Sequence, residues 1–378
     1  MSQLNVDTIK KADGTGNLSV PAETGTVVTT ASPSLGRRNI IINGSAAVNQ
    51  RGDSTGVTSN GYYACDRFRS LISGLGTWSI SQSTDAPDGF GSSLKWDCTT
   101  ADASPSASDY AYIMYRIEGQ DLQHLKFGTS DAQSLTLSFW VKCNKTGTGR
   151  LHFSEPDSSY RSIGSSYTID TADTWEHKTV TIVGDTSGTI NNDNGVGFEV
   201  MWWLDSGTDY SSGAMPTAWE AESNPDKNAG GTLALGDSES NNWYITGVQL
   251  EVGSVATPFE HRSYGEELAA CQRYFCKLNS IDPYTAVAAG VARSATTCSV
   301  VVNYPKTMRA QPDFNYSGNY TIVAAASGSA LSAEGVAYMG ESSMLWQPVG
   351  LSGAAEGRGV CIHGSNDASS YLEFDAEL

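Results

Sequence analysis

Along residues 135–142 (LTLSFWVK) apolar and polar positions alternate. Leu135, Leu137, Phe139 and Val141 fall on one side of an extended chain, and Trp140 falls on the other with Thr136, Ser138 and Lys142. Residues 196–204 (VGFEVMWWL) follow the same rule: Val196, Phe198, Val200, Trp202 and Leu204 share a face, opposite Gly197, Glu199, Met201 and Trp203. A period of two predicts strands with one side against a core. Residues 179–183 and 243–251 (WYITGVQLE) carry further strand patterns, and Asn60-Gly61, Asp88-Gly89 and Asn194-Gly195 are turn signals. From residue 39 to residue 262 such segments recur with no helical period between them. They predict an antiparallel β-sandwich, jelly-roll-like, within an all-β chain. In this pattern Trp202 and Trp243 belong to the core, whereas Trp140 and Trp203 face away from it.

Two stretches break the pattern. Residues 1–38 hold only thin apolar patches (Leu4, Val6, Ile9, Leu18, Val20) between DGTGN, PAETG and ASPSLG, too little to bury a core, so either an extended arm that orders by pairing with a partner or a disordered terminus is expected. At residues 263–277, SYGEELAACQRYFCK sets Ser263 three residues before Glu266, the spacing of a capping box. Glu266 and Glu267 then lie where the helix dipole favours anions. A linking helix is predicted there, with Leu268, Cys271, Gln272 and Phe275 along one stripe. Residues 278–378 return to strand patterns and form a C-terminal β-domain. In its last segment, SYLEFDAEL, Leu372, Phe374, Ala376 and Leu378 alternate with polar neighbours.

Composition agrees with this reading. The 378 residues include 39 Gly, 17 Tyr and 9 Trp with only 17% charged, a mixture that favours short strands and tight turns. The formal charge of −18, unrelieved by any Lys/Arg cluster, would repel a phosphate backbone or an anionic bilayer, so neither nucleic-acid binding nor membrane insertion is expected. MSQLNVDTIKK lacks the apolar run of a signal peptide, and nowhere do 18 apolar residues stand together. A soluble chain without a secretory leader is the expectation. Seven scattered cysteines without a C-x-x-C pair read as small buried hydrophobes of a reducing cytoplasm. The five histidines stand apart, without H-E-x-x-H, G-x-S-x-G or a phosphate-cradling G-x-x-x-x-G-K, and no metal or cofactor is expected.

Several segments together resemble tail-fibre proteins of tailed bacteriophages of aquatic bacteria. They are NVDTIKKADGTG in the arm, LGRRNIIINGSAAVNQRG at the start of the sandwich, YYACDRF shortly after, and above all WYITGVQLEVGSVATPFEHRSYGEELAACQRYF. The short VNYPKTMRAQPDF is similar to a P-x-x-M-R-x-x-P feature of those proteins. The resemblance implies a receptor-binding virion protein of the phage tail: a homotrimer held to other tail proteins by its N-terminal arm. Its sandwich would be similar to carbohydrate-binding modules, and its distal domain would face a host polysaccharide or protein receptor. A structural tail adaptor without receptor contact has the same arm. A glycan depolymerase would need two carboxylates across a bond, and no spacing singles out such a pair; Glu220 and Glu222 merely share a loop.

Glycan sites need flat aromatic surfaces for the apolar side of a sugar ring, with carboxylates or amides for its hydroxyls. Trp140 and Trp203, with Glu199 beside the latter, supply those types on outward positions. Tyr210 and Trp219 supply them on the long polar loop of residues 203–231.

Overall fold

The computed structural model describes residues 9–10, 17–18, 37–279, 284–324, 327–332, 335–367 and 369–378. It divides into two compact units, 1–38 and 39–378. In the first, Ile9 and Lys10 pair antiparallel with Leu18 and Asn17, and the rest of the expected arm lies outside the described residues.

The larger unit is all-β apart from short helical turns and one eight-residue helix. Two antiparallel sheets make the sandwich. One runs in the order Glu220–Ala221, Arg161–Ile169, Gly147–Glu155, Val196–Ser206, Tyr110–Glu118, Phe68–Ser73 and Gly61–Tyr62. The other runs Glu176–Ile182, Leu135–Cys143, Asn242–Val252, Ser93–Thr100, Thr77–Ser83 and Ser54–Val57. Their inner positions meet in one core. Leu135, Leu137, Phe139 and Val141 from one sheet and Phe198, Val200, Trp202 and Leu204 from the other are all buried, with Trp78, Trp96 and Trp243. Phe139 meets Trp202 edge-on at 6.1 Å, and Trp78 meets Trp96 in the same manner at 5.4 Å, the arrangement that aromatic quadrupoles favour.

A separate core lies beneath the C-terminal sheets, where Trp346, Phe374, Ile322 and Ile362 are buried together. Tyr371–Asp375 runs between Phe275–Asn279 and Asp313–Ser317 in a three-stranded sheet. Seven strands from Ser327–Ala330 to Val336–Met339 make the other sheet.

The helix spans Tyr264–Cys271 with both halves of the capping box formed by Ser263 and Glu266. It is shorter than the 263–277 expected. Phe275 and Cys276, both fully buried, are drawn into the strand Phe275–Asn279 opposite Asp375 and Phe374, so Phe275 leaves the helical stripe. Six of the seven cysteines are buried, Cys361 is partly so, and all are free thiols.

Arginines of the sandwich hold the last residues. Arg67 is buried, pairs with Glu377, donates to the Arg116 carbonyl at 2.7 Å, and lies 3.4 Å from the centre of the Tyr274 ring. Arg51 bridges Asp375 (3.0 Å) and Glu377 (3.4 Å) and covers Phe275, and Arg116 donates to the Leu378 carbonyl at 2.9 Å. On the C-terminal side Arg309 donates to the carbonyl of Asn194 at 2.6 Å, in a sandwich turn. The two cores are thereby joined by charge-assisted contacts.

Candidate glycan-binding face

The outer side of the six-stranded sheet is the more open of the two sandwich faces. Because Leu135, Leu137, Phe139 and Val141 point inward, Trp140 stands outside, opposite Thr246 on one neighbour and His177 on the other. Its ring lies 5.2 Å from the exposed His177 imidazole and remains half-buried. Beside Trp140 the strand Asn242–Val252 bulges between Thr246 and Gln249, and Gly247 takes φ +61°. A Cβ there would come within 2.7 Å of Phe90 and 3.0 Å of Trp140, so glycine is what lets both rings close over this strand. Phe90 in turn meets Phe259 at 5.0 Å and His261 at 5.3 Å.

One register step along, Lys142 reaches over the rings of Tyr244 (4.5 Å) and Trp175 (5.5 Å). Asp85 pairs with Lys142 and accepts the Trp175 indole N–H at 3.0 Å. Its hydrogen bond to Lys142 above all, reinforced by the indole, holds the Asp85 carboxyl below its ordinary range, so it is ionised at neutral pH. The face therefore combines the rings of Trp140, Phe90, Tyr244 and Trp175 with one fixed carboxylate and one fixed amine. Sequence reasoning found Trp140 and missed the others. Phe90 and Trp175 lie in loops where alternation says nothing, whereas Tyr244, outward by alternation beside the core Trp243, was legible and not singled out.

The opposite outer face is closed. Trp203 is placed outside the sandwich core, as its alternation requires, yet it is only 1% exposed. Its ring stacks on Tyr112 at 4.3 Å, with Tyr210 at 5.3 Å and Leu71, Met114 and Met201 around it. The loop after Trp203 returns across the sheet. Glu222 accepts from Ser154 (2.9 Å), meets His152 (3.1 Å) and pairs with Lys227 (2.6 Å). Burial alone would raise the Glu222 carboxyl, but His152 and Lys227 outweigh it and set it at about 2. Burial keeps His152 below its ordinary value and hence neutral. Trp203 thus offers no ring to a ligand.

Glu199 is buried and ion-paired with Arg116 at 2.8 Å, and burial raises its carboxyl above the ordinary value. Tyr210, half-buried on the turn Thr208–Ser211, supports Trp203. Trp219 turns inward: its indole N–H donates to the Val183 carbonyl at 2.7 Å and its ring packs against Phe127 and Phe198 at the edge of the core. Of the five residues singled out from the sequence, Trp140 alone combines an outward ring with an open face. Glu220 is exposed while Glu222 is latched under the loop, so the two make no facing pair.

No protein-family model matches the chain, and no curated protein matches it. Among solved structures, one similar to it is the enzymatically active domain of tailspike protein 4 of bacteriophage CBA120. The identity is 11%, covering 57% of this chain and 21% of that one, with a TM-score of 0.29. Another is the C-terminal family 22 carbohydrate-binding module of Clostridium thermocellum Xyn10B (13% identity, 53% of this chain, 100% of that one, TM-score 0.28). A third is the xylan-binding domain of Paenibacillus barcinonensis Xyn10C (7% identity, 58% and 96%, TM-score 0.28). Among the described residues no helix is long and apolar enough to cross a membrane, and no three His, Cys, Asp or Glu side chains gather where they could hold a metal ion.

Proposed function

We propose that this chain is a tail-fibre protein of a tailed bacteriophage that attaches the virion to its host by binding a surface glycan without cleaving it. The observation that carries the reading is the open row of rings on the six-stranded sheet. Trp140, Phe90, Tyr244 and Trp175 lie on this face with Asp85 and Lys142, the combination of stacking surface and hydrogen-bonding groups that sugar rings require. The segments similar to tail-fibre proteins support the phage setting, with the arm of residues 1–38 as the link to other tail proteins.

Self-association has support in the C-terminal domain. Val323, Cys361, Ala289, Val301, Leu345 and Tyr338 are successive cross-strand neighbours and form an uncharged row over six strands, with Val301 and Tyr338 exposed. An uncharged row meets less repulsion between copies that each carry a charge of −18, which supports self-association, and the homotrimer is what the resemblance to tail-fibre proteins implies.

The test is binding of labelled full-length protein to cells that the parent virus infects, in competition with their purified surface polysaccharide. Trp140→Ala should leave the fold intact and weaken saturable binding about tenfold or more, the scale of one lost stacking contact. Unchanged binding by the variant removes the sandwich face from the mechanism. No binding by the parent chain would favour a structural tail adaptor, and release of reducing ends from the polysaccharide would favour a depolymerase.

A further inference from the structure

A cleft of about 360 Å³ opens in the C-terminal domain between the turn at Gly318 and Asn319, Ala330 and Leu331, and Ser365. It is far from the ring-bearing face in sequence and belongs to the separate core. Its volume lies at the small end of ligand pockets, enough for one sugar ring and too little for an extended chain. Tyr316, half-buried, supplies an aromatic wall. Tyr320 also lines the cleft. It is 3% exposed and its hydroxyl is closed to solvent, so the residue forms part of the cleft wall and offers no hydrogen bond to a ligand there.

The turn is rigid. Asp367 accepts from the Asn319 backbone at 3.0 Å and from its amide at 3.3 Å, and the Asn319 carbonyl accepts from the Ser365 backbone at 2.8 Å and the Ser370 hydroxyl at 3.0 Å. Gly318, at φ +89°, lets this turn lie against Ser370. Asn319 and Ser365 are both exposed, and neither the Asn319 side-chain carbonyl nor the Ser365 hydroxyl takes part in these contacts.

We propose that this cleft binds a single neutral sugar residue, stacked on Tyr316 and hydrogen-bonded by Asn319 and Ser365. The inference rests on the attachment reading only for its biological sense, since the site itself is argued from the cleft. Neutral rather than acidic sugars follow from Asp367. The Ser369 hydroxyl first, then the Asn319 and Ser369 backbones, hold its carboxyl down at about 2, so a fixed negative charge stands directly behind Asn319.

The experiment is saturation-transfer NMR on the full chain with the methyl glycosides of glucose, galactose, mannose and N-acetylglucosamine, each titrated to about 50 mM, the range in which single-sugar sites are occupied. At least one glycoside should receive saturation. The transfer should persist in Trp140→Ala and, in that background, disappear when Ala330→Trp turns an exposed alanine into a ring filling the cleft and weaken about tenfold with Asn319→Ala, which keeps the backbone contacts of the turn. No transfer from any glycoside, transfer that survives Ala330→Trp in the Trp140→Ala background, or transfer abolished by Trp140→Ala alone overturns the proposal. Host-cell binding without transfer from any glycoside sinks this site and leaves attachment standing. Glycoside binding without cell binding does the reverse.

Discussion

Glu155 ends the strand Gly147–Glu155 in a place where a carboxylate is poorly accommodated. Its side chain is fully buried and neither carboxyl oxygen has a hydrogen-bond partner among the described residues. The Asp185 carboxylate stands beside it, held by Arg161 (3.1 Å to Nη2) and by the Ser187 backbone N–H at 2.9 Å. Both carboxylates crowd Gly188 so closely that an added Cβ there would overlap the two. Burial first, and the Asp185 charge second, raise Glu155 to about 8, so the folded chain keeps a proton at pH 7 that the unfolded chain, at about 4.3, has lost.

The direction follows from proton linkage. Between those values the native state binds more protons, so this group lowers stability as pH rises, by about 1.4 kcal/mol per unit, reaching roughly 3 kcal/mol at pH 7 and levelling off above about pH 8. Glu155→Gln keeps the shape and removes the titration. Variant and parent should unfold alike near pH 4.5, and the variant should gain progressively above it. At pH 7 a gain of about 3 kcal/mol corresponds to a midpoint rise of roughly 6–12 °C for a unit the size of the sandwich. Thermal unfolding of the two proteins at about pH 5, 6, 7 and 8 measures this difference and cancels the pH dependence of every other group. A gap that stays constant across the series, or a variant less stable than the parent at pH 8, would refute the reasoning.

The clamp between the two cores gives a second expectation. Arg67→Ala leaves the buried Glu377 with only its longer contact to Arg51 and should cost about 3 kcal/mol, read as a lower denaturant midpoint; a loss below about 1 kcal/mol would mean that Arg51 or solvent replaces the arginine. The two outward tryptophans give a third. Trp203→Ala empties a buried stack and should cost about 3–5 kcal/mol, while Trp140→Ala on the open face should cost about 1 kcal/mol or less. Equal losses in the two would contradict the assignment of one to packing and the other to binding.

The same two residues show how far alternation along a strand can be read. Period-two patterning placed both rings outside the core, and both are there, because the side-chain direction of a strand is a local property. What then covers each ring is not local. Trp203 is sealed by Tyr112, nearly a hundred residues earlier, and by a loop whose course is set by the latch of Glu222 on His152 and Ser154; no spacing encodes that latch. Trp140 stays half-exposed beside the bulge, where the missing side chain of Gly247 leaves room for both its ring and that of Phe90.

The helix shows the same division. Its start was legible from Ser263 and Glu266, three residues apart, whereas its end is decided by a strand about a hundred residues later that claims Phe275. The arginine clamp, whose partners Arg67 and Glu377 stand 310 residues apart, left no trace in the sequence pattern at all. A face that can bind is thus the product of two decisions. The strand decides which way a ring points, and a distant segment decides whether it stays open, so a scan of outward aromatics in chains of this kind yields candidates that only tertiary cover can sort.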